Sequence, residues 1–285
     1  MKELTREAYA KINFTLDVLG RLPNGYHTVR MVMQSISLHD DVTVRLDGSG
    51  KMTLRCSLPY LPVDHTNLAW RAANAFYSAV GMRDPGTSVF IRKRIPVSAG
   101  LAGGSTNAAA VLRALDTLHG TALGDGRLCE IGLRLGADVP YCLLGGTMLA
   151  EGIGERLTRL PACPEGWAVL IKPPFSVSTA AVYAAMDASQ PTARPDTDGM
   201  LRALDAGDYQ GVCHRLYNVM EAVTGAKHRQ IHEIRSRLLD CGALGAVMSG
   251  SGPTTYGLFI GEAQARAAYE TLKPEYPEIF LCKIL

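Results

Sequence analysis

The sequence has no excess of one charge, no paired cysteines and no long apolar run free of glycine. Its 29 basic and 27 acidic residues give a net charge of only +2, so the chain lacks the excess of basic residues that is typical of proteins that bind nucleic acid or an anionic membrane. Its seven cysteines are widely spaced and form no Cys-x-x-Cys pair, which argues against a zinc site or a disulfide framework and for reduced thiols in the cytoplasm. No apolar segment typical of a signal peptide follows the first residues, so we expect neither a leader nor a membrane anchor.

The composition is that of a globular protein with one large domain or two ordinary ones. The chain has 285 residues, of which 47% are hydrophobic and 20% charged, so it can bury a substantial core. Strand-like and helix-like segments are mixed along the chain without the βαβ regularity of a doubly wound sheet, which favours the α+β class. A change of composition at residues 161–166 predicts a boundary between an N-terminal domain at 1–160 and a C-terminal domain at 161–285.

Hydrophobic periodicity and turn residues predict the main elements. Polar and apolar residues alternate over residues 11–18, which predicts a half-buried strand with Lys11 and Asn13 on one face. The other predictions rest on the same period rules and on helix and turn signals. They are a hairpin of residues 40–46 and 51–56, a helix over 67–80, a strand over 88–93, a buried strand region over 139–150, a surface loop over 189–199 and one helix over 208–221.

Residues 96–109 form a glycine-rich segment that runs into an alanine-rich helical pattern. Gly100, Gly103 and Gly104 lack a Cβ and tolerate a positive φ, so the backbone can curl and bring its N–H groups close to a ligand. Residues 105–107 offer N-cap side chains to a helix predicted over 108–118, and free amides at a helix N-terminus attract anions. The segment is therefore a candidate phosphate site. A turn that merely joins a strand to a helix remains an alternative, because the Walker and dinucleotide glycine patterns are both absent here.

A second glycine-rich segment spans residues 248–259. Two such segments, with one basic and one acidic residue near turns, favour phosphoryl transfer, in which positioning and charge neutralisation carry most of the catalysis. The uncharged stretch over residues 95–112 has the length of a membrane span, but its three glycines and four polar side chains make that interpretation poor.

Five motifs occur in a fixed order along the chain. They are Ala10-Lys-Ile-Asn13, Gly25-Tyr-His27, the segment at residues 96–107, Gly136-Ala-Asp-Val-Pro140 and Met248-Ser-Gly-Ser-Gly-Pro253. Together they resemble the superfamily of galactokinase, homoserine kinase, mevalonate kinase and phosphomevalonate kinase, and within it the branch of the non-mevalonate isoprenoid pathway. The resemblance covers residues 8–260. It implies a two-domain α+β small-molecule kinase, with an N-terminal mixed-sheet domain, a C-terminal ferredoxin-like domain and a cleft between them.

The resemblance also implies a reaction, the ATP-dependent phosphorylation of the 2-hydroxyl of 4-diphosphocytidyl-2-C-methyl-D-erythritol. Asp138 matches the family's catalytic base, which accepts the hydroxyl proton as the γ-phosphate is attacked. An aspartate that only caps a helix or turn is the alternative. Lys11 matches the lysine that pairs with this aspartate and counters developing charge. Its alternative is an exposed strand lysine.

A cytidine site and an ATP site are implied in the same way. Asn13 matches a residue that orients the substrate, Tyr26 and His27 match positions that recognise cytosine, and Tyr183 matches an aromatic ring that stacks on it. Mg²⁺ accompanies ATP, with Ser105 as its protein ligand. The positions implied to bind ATP are Asn67, Leu68, Lys93, Pro96, Gly100, Leu101, Ala102, Gly103, Gly104, Ser105, Thr106, Gly250, Ser251 and Gly252. Close relatives usually carry glycine and serine where this chain has Ala102 and Thr106.

Two other functions fit parts of the pattern. A kinase of another small alcohol, of the homoserine or mevalonate type, would share both glycine segments but give Tyr26, His27 and Tyr183 no cytosine to bind. A non-catalytic nucleotide-binding protein on the same fold would bind ATP without turnover. In each case we expect a cytoplasmic monomer or homodimer whose partners are small molecules, with no nucleic acid and no membrane.

Overall fold

A computed structural model describes residues 2–187, 191 and 193–285. Contacts divide the chain into two compact units, each assembled from several segments. Unit 1 contains the described residues of 1–10, 39–95 and 102–145, and unit 2 contains those of 11–38, 96–101 and 146–285. The units are therefore not sequential halves, and a sequential boundary at 160/161 stays a prediction.

The described residues form eleven strands and ten helices. The strands are β1 (Lys2–Arg21), β2 (His27–Leu46), β3 (Thr53–Cys56), β4 (Thr87–Arg92), β5 (Thr147–Glu151), β6 (Arg156–Arg159), β7 (Trp167–Ile171), β8 (Tyr217–Asn218), β9 (Gly245–Met248), β10 (Thr255–Phe259) and β11 (Ile279–Lys283). The helices are α1 (Leu68–Val80), α2 (Gly103–His119), α3 (Gly124–Leu133), α4 (Val139–Leu144), α5 (Thr179–Asp187), α6 (Thr197–Asp205), α7 (Tyr209–His214), α8 (Val219–Lys227), α9 (Gln230–Asp240) and α10 (Glu262–Leu272). No helix in the described part of the chain is both long and apolar enough to cross a membrane.

Unit 1 combines a small mixed sheet with the helices α1 to α4. Strand β4 pairs with β3 in parallel and with the second half of β2 in antiparallel orientation. The predicted hairpin of residues 40–46 and 51–56 is therefore wrong, because β4 lies between those two segments. Apolar side chains such as Val42, Phe76 and Leu112 form one buried core of this unit.

Helix ends in unit 1 follow from capping chemistry. Helix α1 begins after Asn67, whose side chain accepts a hydrogen bond from the amide of Ala69, and it ends at Gly81 in the left-handed conformation. The predicted helix over residues 67–80 is thus confirmed. The predicted strand over 139–150 is wrong in its first part, because Val139 and Pro140 open the short helix α4, and correct from residue 147, where β5 begins.

Unit 2 contains an antiparallel four-stranded sheet in the order β11-β7-β10-β9. Strand β10 pairs with β7 and β9, and β11 pairs with the other edge of β7. Taken with α9 and α10, the chain order of these elements is β-α-β-β-α-β. This is a ferredoxin-like arrangement, which confirms the predicted fold class. Apolar residues of the two helices, such as Ile234 and Leu272, form a core with those of the sheet.

The remaining elements of unit 2 correct one prediction and leave another untested. The single helix predicted over 208–221 is in fact α7, the two-residue strand β8 and α8. Strand β8 pairs with β1 in parallel, and Asn218 caps α8. The predicted surface loop over 189–199 lies partly outside the described residues, which omit 188–190 and 192.

Candidate active site

Lys11 is a buried residue of unit 2, with 5% of its surface exposed. Its ammonium group donates to Asn13 Oδ1 at 2.8 Å and to the carbonyl oxygen of Gly100 at 3.2 Å. Its amide donates to the carbonyl of Leu101. The alternative of an exposed strand lysine is therefore wrong, and the ammonium group is anchored at the first glycine segment.

Asn13 is itself held by its neighbours. The phenol of Tyr256 donates to the Asn13 carbonyl at 2.7 Å, and complete burial raises the pKa of Tyr256 well above its ordinary value. The phenol therefore stays a neutral donor. Sequence patterns singled out Asn13 but not Tyr256, since the two lie 243 positions apart.

The two glycine segments meet within unit 2. Gly100 has a φ of +75°, and a Cβ at this position would lie 2.2 Å from the carbonyl oxygen of Ser249. Gly250 has a φ of +58°, and its Cβ would lie 3.1 Å from the Gly100 carbonyl and 3.4 Å from the Lys11 ammonium. Both positions require glycine for conformation and for close approach.

Asn218 shapes the second glycine segment. Its side-chain amide donates to the carbonyls of Met248 and Gly250 at 2.8 and 2.7 Å, while its oxygen caps α8. The buried carboxylate of Glu221 accepts from the amide of Met248. The spacing Asn218-x-x-Glu221 is a capping-box signal that would have identified a helix start inside the predicted helix 208–221.

Ser251 and Gly252 complete the second segment. The hydroxyl of Ser251 is 2.9 Å from that of Thr179, and its carbonyl accepts from Thr224. Gly252 has a φ of +87°, and a Cβ there would lie 2.4 Å from the sulfur of Met248. Hydrogen bonds or close packing thus fix the segment from Met248 to Gly252.

The first glycine segment ends in unit 1 at an uncapped helix. Helix α2 begins at Gly103, and its N-cap residue is Ala102, which has a φ of +58° and makes no side-chain capping bond. The prediction that residues 105–107 cap a helix over 108–118 is therefore wrong, because those residues lie within the helix. Amides of the first turn are left without a side-chain acceptor, which favours an anion at this end.

The hydroxyl groups of Ser105 and Thr106 differ in their surroundings. Thr106 is buried and donates to the carbonyl of Tyr9 at 2.7 Å. Ser105 is half-buried, and within the described residues its hydroxyl has no partner. Of the two hydroxyls, that of Ser105 is the one available to a ligand.

Lys93 lies beside the start of α2. Its side chain is 5% exposed and pairs with the fully buried Asp40, whose carboxylate also accepts from Asn107 at 2.8 Å. A Cβ on Gly103 would lie 3.1 Å from the Lys93 ammonium. Sequence reasoning missed Asp40, because its partners are more than fifty positions away and no local pattern marks them.

The other positions predicted to bind ATP in unit 1 pack around the same turn. A Cβ on Gly104 would lie 3.4 Å from a methyl group of Leu68. The side chain of Asn67 is already engaged, because its oxygen caps α1 and its amide donates to the Pro62 carbonyl. In unit 2, Pro96 is buried at the start of the segment.

Asp138 precedes α4 in unit 1. It occupies the N-cap position of that helix, but its side chain makes no capping bond. Its half-buried carboxylate has no hydrogen-bond or ion-pair partner within the described residues. The alternative of a purely capping aspartate is therefore not supported, and the carboxylate is available to a ligand.

The predicted cytosine residues lie together in unit 2. The rings of His27 and Tyr183 are stacked, with centroids 4.5 Å apart and planes inclined by 16°. At that separation a base cannot lie between them. Tyr26 is 58% exposed, so of the three residues predicted to contact cytosine it is the one most exposed to solvent.

Ala102 offers a stability prediction. A left-handed non-glycine residue costs about 1 to 2 kcal/mol, part of which is offset by the greater freedom of glycine in the unfolded chain. We expect Ala102→Gly to raise the free energy of unfolding by about 0.5 to 1 kcal/mol in urea titrations. Ala99→Gly, at a position without positive φ, is the control and should lower it. A destabilising Ala102→Gly would contradict the left-handed start of α2.

Comparisons with known proteins agree across the whole chain. The GHMP kinases N terminal domain family matches residues 67–146, and the GHMP kinases C terminal family matches residues 200–278. A 4-diphosphocytidyl-2-C-methyl-D-erythritol kinase of Clostridium botulinum strain Eklund 17B is 42% identical over 98% of this chain and 99% of its own.

Solved structures support the same assignment. A crystal structure of 4-(cytidine 5'-diphospho)-2C-methyl-D-erythritol kinase is 34% identical, covers 99% of both chains and superposes with a TM-score of 0.83. Homoserine kinase from Cytophaga hutchinsonii, at 18% identity, has a TM-score of 0.79 over 100% of this chain and 96% of its own, which shows the fold alone. The chain therefore belongs to the GHMP kinase family, and within it to the 4-diphosphocytidyl-2-C-methyl-D-erythritol kinases.

Proposed function

We propose that this protein transfers the γ-phosphoryl group of ATP to the 2-hydroxyl of 4-diphosphocytidyl-2-C-methyl-D-erythritol, in the non-mevalonate route to isoprenoid precursors. The observation that carries the proposal is the 42% identity, over almost the full length of both chains, with a kinase of that name. The available carboxylate of Asp138 and the anchored ammonium of Lys11 supply the charges that such a transfer needs.

Asp138 is the proposed proton acceptor. The substrate hydroxyl oxygen forms a bond to the γ-phosphorus, the bond from that phosphorus to the β,γ-bridging oxygen breaks, and ADP leaves. The hydroxyl proton passes to the Asp138 carboxylate. Since Lys11 is buried beside Gly100, its ammonium group would stabilise negative charge on the transferred phosphoryl group at little cost in reorganisation.

The two glycine segments are the proposed binding site for the phosphates of ATP. The uncapped amides at the start of α2 offer donors to the phosphate oxygens of ATP. Protein sites for Mg²⁺ commonly use one or two oxygen ligands together with substrate phosphates. The Ser105 hydroxyl, which has no partner in the described part of the chain, fits such a site. Bound there, Mg²⁺ would neutralise phosphate charge.

The aromatic cluster of unit 2 is the proposed cytidine site. The exposed ring of Tyr26 offers a stacking face, and the edge of His27 offers hydrogen bonds. Homoserine and mevalonate would leave these groups without a role. The likeness to homoserine kinase rests on the fold and does not favour that alternative.

All seven cysteines are free thiols. Burial raises the pKa of Cys163 and of Cys213 to about 12, so both stay protonated at neutral pH. These thiols support the further proposal of a reducing, cytoplasmic location, where we expect the protein to act as a monomer or homodimer.

A substrate panel tests the proposed function. Purified protein with Mg-ATP is assayed for ADP release with the cytidyl substrate, with homoserine, with mevalonate and with cytosine-free methylerythritol phosphate. We expect turnover with the cytidyl substrate alone. Turnover confined to homoserine or mevalonate would reject the assigned substrate while keeping the kinase fold.

Lys11→Met tests the role of the buried ammonium group. Methionine keeps most of the side chain's length and loses its charge and donors, so we expect kcat to fall roughly 100-fold, as when one stabilising donor is removed from an active site. Lys172→Met is the matched control, because Lys172 is also buried but pairs with Glu278. It should lower the unfolding temperature and leave kcat within about twofold of the original, as a change outside the active site would. Equal losses of kcat in both variants would contradict a catalytic role for Lys11.

A further inference from the structure

Asp187 contacts the edge of His27 within unit 2. Its Oδ1 lies 2.6 Å from His27 Nε2, and its Oδ2 lies 3.3 Å from the guanidinium of Arg21. The His27 side chain is 7% exposed and that of Asp187 is 32% exposed, so the imidazole is buried while the carboxylate that it contacts remains partly exposed to water. No sequence pattern singled out Asp187, which lies 160 positions from His27.

Helix α5 holds the imidazole in two ways. Asp187, at the end of this helix, binds the edge of the ring, and Tyr183, one turn earlier, stacks on its face. These two contacts fix both the plane of the ring and its rotation. His27 therefore presents its other nitrogen, Nδ1, in a defined direction.

The contact also fixes the hydrogen on the ring. An ionised carboxylate only accepts hydrogen bonds, so Nε2 must carry a hydrogen. In a neutral imidazole with that hydrogen, Nδ1 is an acceptor. Within the described residues Nδ1 has no protein partner, so its hydrogen-bonding capacity is not used by the protein itself.

We propose that Asp187 is a positioning residue that makes His27 an acceptor toward the pyrimidine and thereby selects cytidine over uridine substrates. Cytosine carries an N4 amino group that donates to such an acceptor, whereas a pyrimidine with O4 in that place presents only lone pairs. The inference rests on the proposed function, since it assumes that the base binds at the edge of His27.

Kinetics with paired substrates test the proposal. At pH 8, kcat/KM is measured for the cytidyl substrate and for its uridyl counterpart. The unaltered protein should prefer the cytidyl substrate by roughly tenfold or more, as expected for one good base-specific contact. Asp187→Asn should reduce this preference several-fold, mainly through KM, because an amide can donate to Nε2 as well as accept from it.

A matched substitution separates this effect from a general loss of charge. Asp198 pairs with Arg30 and not with His27, so Asp198→Asn should leave the preference unchanged. An unchanged preference in Asp187→Asn, or an equal loss in both variants, would overturn the proposal.

Nitrogen-15 NMR of the imidazole gives a readout that does not depend on turnover. The His27 signals, assigned by their loss in His27→Gln, should show hydrogen on Nε2 in the unaltered protein and a mixture of tautomers in Asp187→Asn. Hydrogen on Nδ1 alone in the unaltered protein would overturn the proposal. If neither substrate is phosphorylated, the proposed function is wrong, and the inference is tested by calorimetry of CDP and UDP binding. Tighter binding of CDP that Asp187→Asn reduces would support the inference, and an unchanged ratio of the two dissociation constants would overturn it.

Discussion

Asp138→Asn is expected to abolish most turnover while leaving the protein folded. The carboxylate at the start of α4 makes no capping bond and has no partner within the described residues, so replacing it by an amide removes no contact that it makes with them. It does remove the proposed proton acceptor. General-base groups contribute roughly 10²- to 10⁴-fold to rate, and we expect kcat to fall within that range.

Three measurements separate this effect from misfolding. ADP release gives kcat, calorimetry gives the dissociation constant of ATP, and thermal unfolding gives stability; only kcat should change strongly. Asp125→Asn is the matched control, because that exposed carboxylate of the same unit pairs with Arg113 on the surface. If Asp138→Asn keeps more than about a tenth of kcat, the loss is smaller than general-base catalysis supplies and the assigned role is wrong.

Gly100→Ala is expected to disrupt both stability and ATP use. A Cβ would lie 2.2 Å from the Ser249 carbonyl, and the residue has a φ of +75°. Strain of this kind combined with overpacking predicts a loss of about 3 kcal/mol or more in the free energy of unfolding. Because the Gly100 carbonyl also accepts from Lys11, we expect kcat/KM for ATP to fall roughly 100-fold, as for a misplacement of about 1 Å in an active site.

Gly48→Ala isolates the conformational part of this effect. Gly48 has a φ of +76°, and a Cβ there would meet nothing within 4 Å. We expect this variant to lose about 1 kcal/mol, with unchanged kinetics. Urea titrations give the loss in free energy of unfolding for both variants, and the difference between the two losses is due to the close approach of residue 100 to the Ser249 carbonyl. Equal losses of stability would mean that the two glycine segments do not pack as described.

Local signals predicted those parts of the fold that depend on local chemistry. Asn67 caps helix α1, which was predicted over residues 67–80, and the strand predicted over residues 88–93 is β4. The hairpin of residues 40–46 and 51–56 failed because β4, which lies between its strands, comes about thirty positions later in the chain. Pairing partners that are distant in sequence leave no local pattern.

In the candidate site, too, local sequence signals identified some features, and features that depend on distant partners were missed. Glycine motifs located the two segments, and the left-handed φ of Gly100 and Gly250 explains why glycine is needed there. The helix start at Ala102 was missed because polar residues just beyond it have the composition of caps. The supporting groups Asp40 and Asn218 act through partners far along the chain, so only the folded structure reveals them.

Product identity tests the central claim most directly. The substrate is a 2-C-methyl sugar alcohol, so the carbon that bears the 2-hydroxyl carries a methyl group and no hydrogen. Phosphorus-31 NMR of the reaction with Mg-ATP should therefore show a new phosphomonoester without three-bond coupling to a proton, beside an intact diphosphate. A new phosphomonoester that couples to one or two protons would place the phosphate on another hydroxyl, and the absence of any new phosphorus signal would contradict the kinase assignment for this substrate.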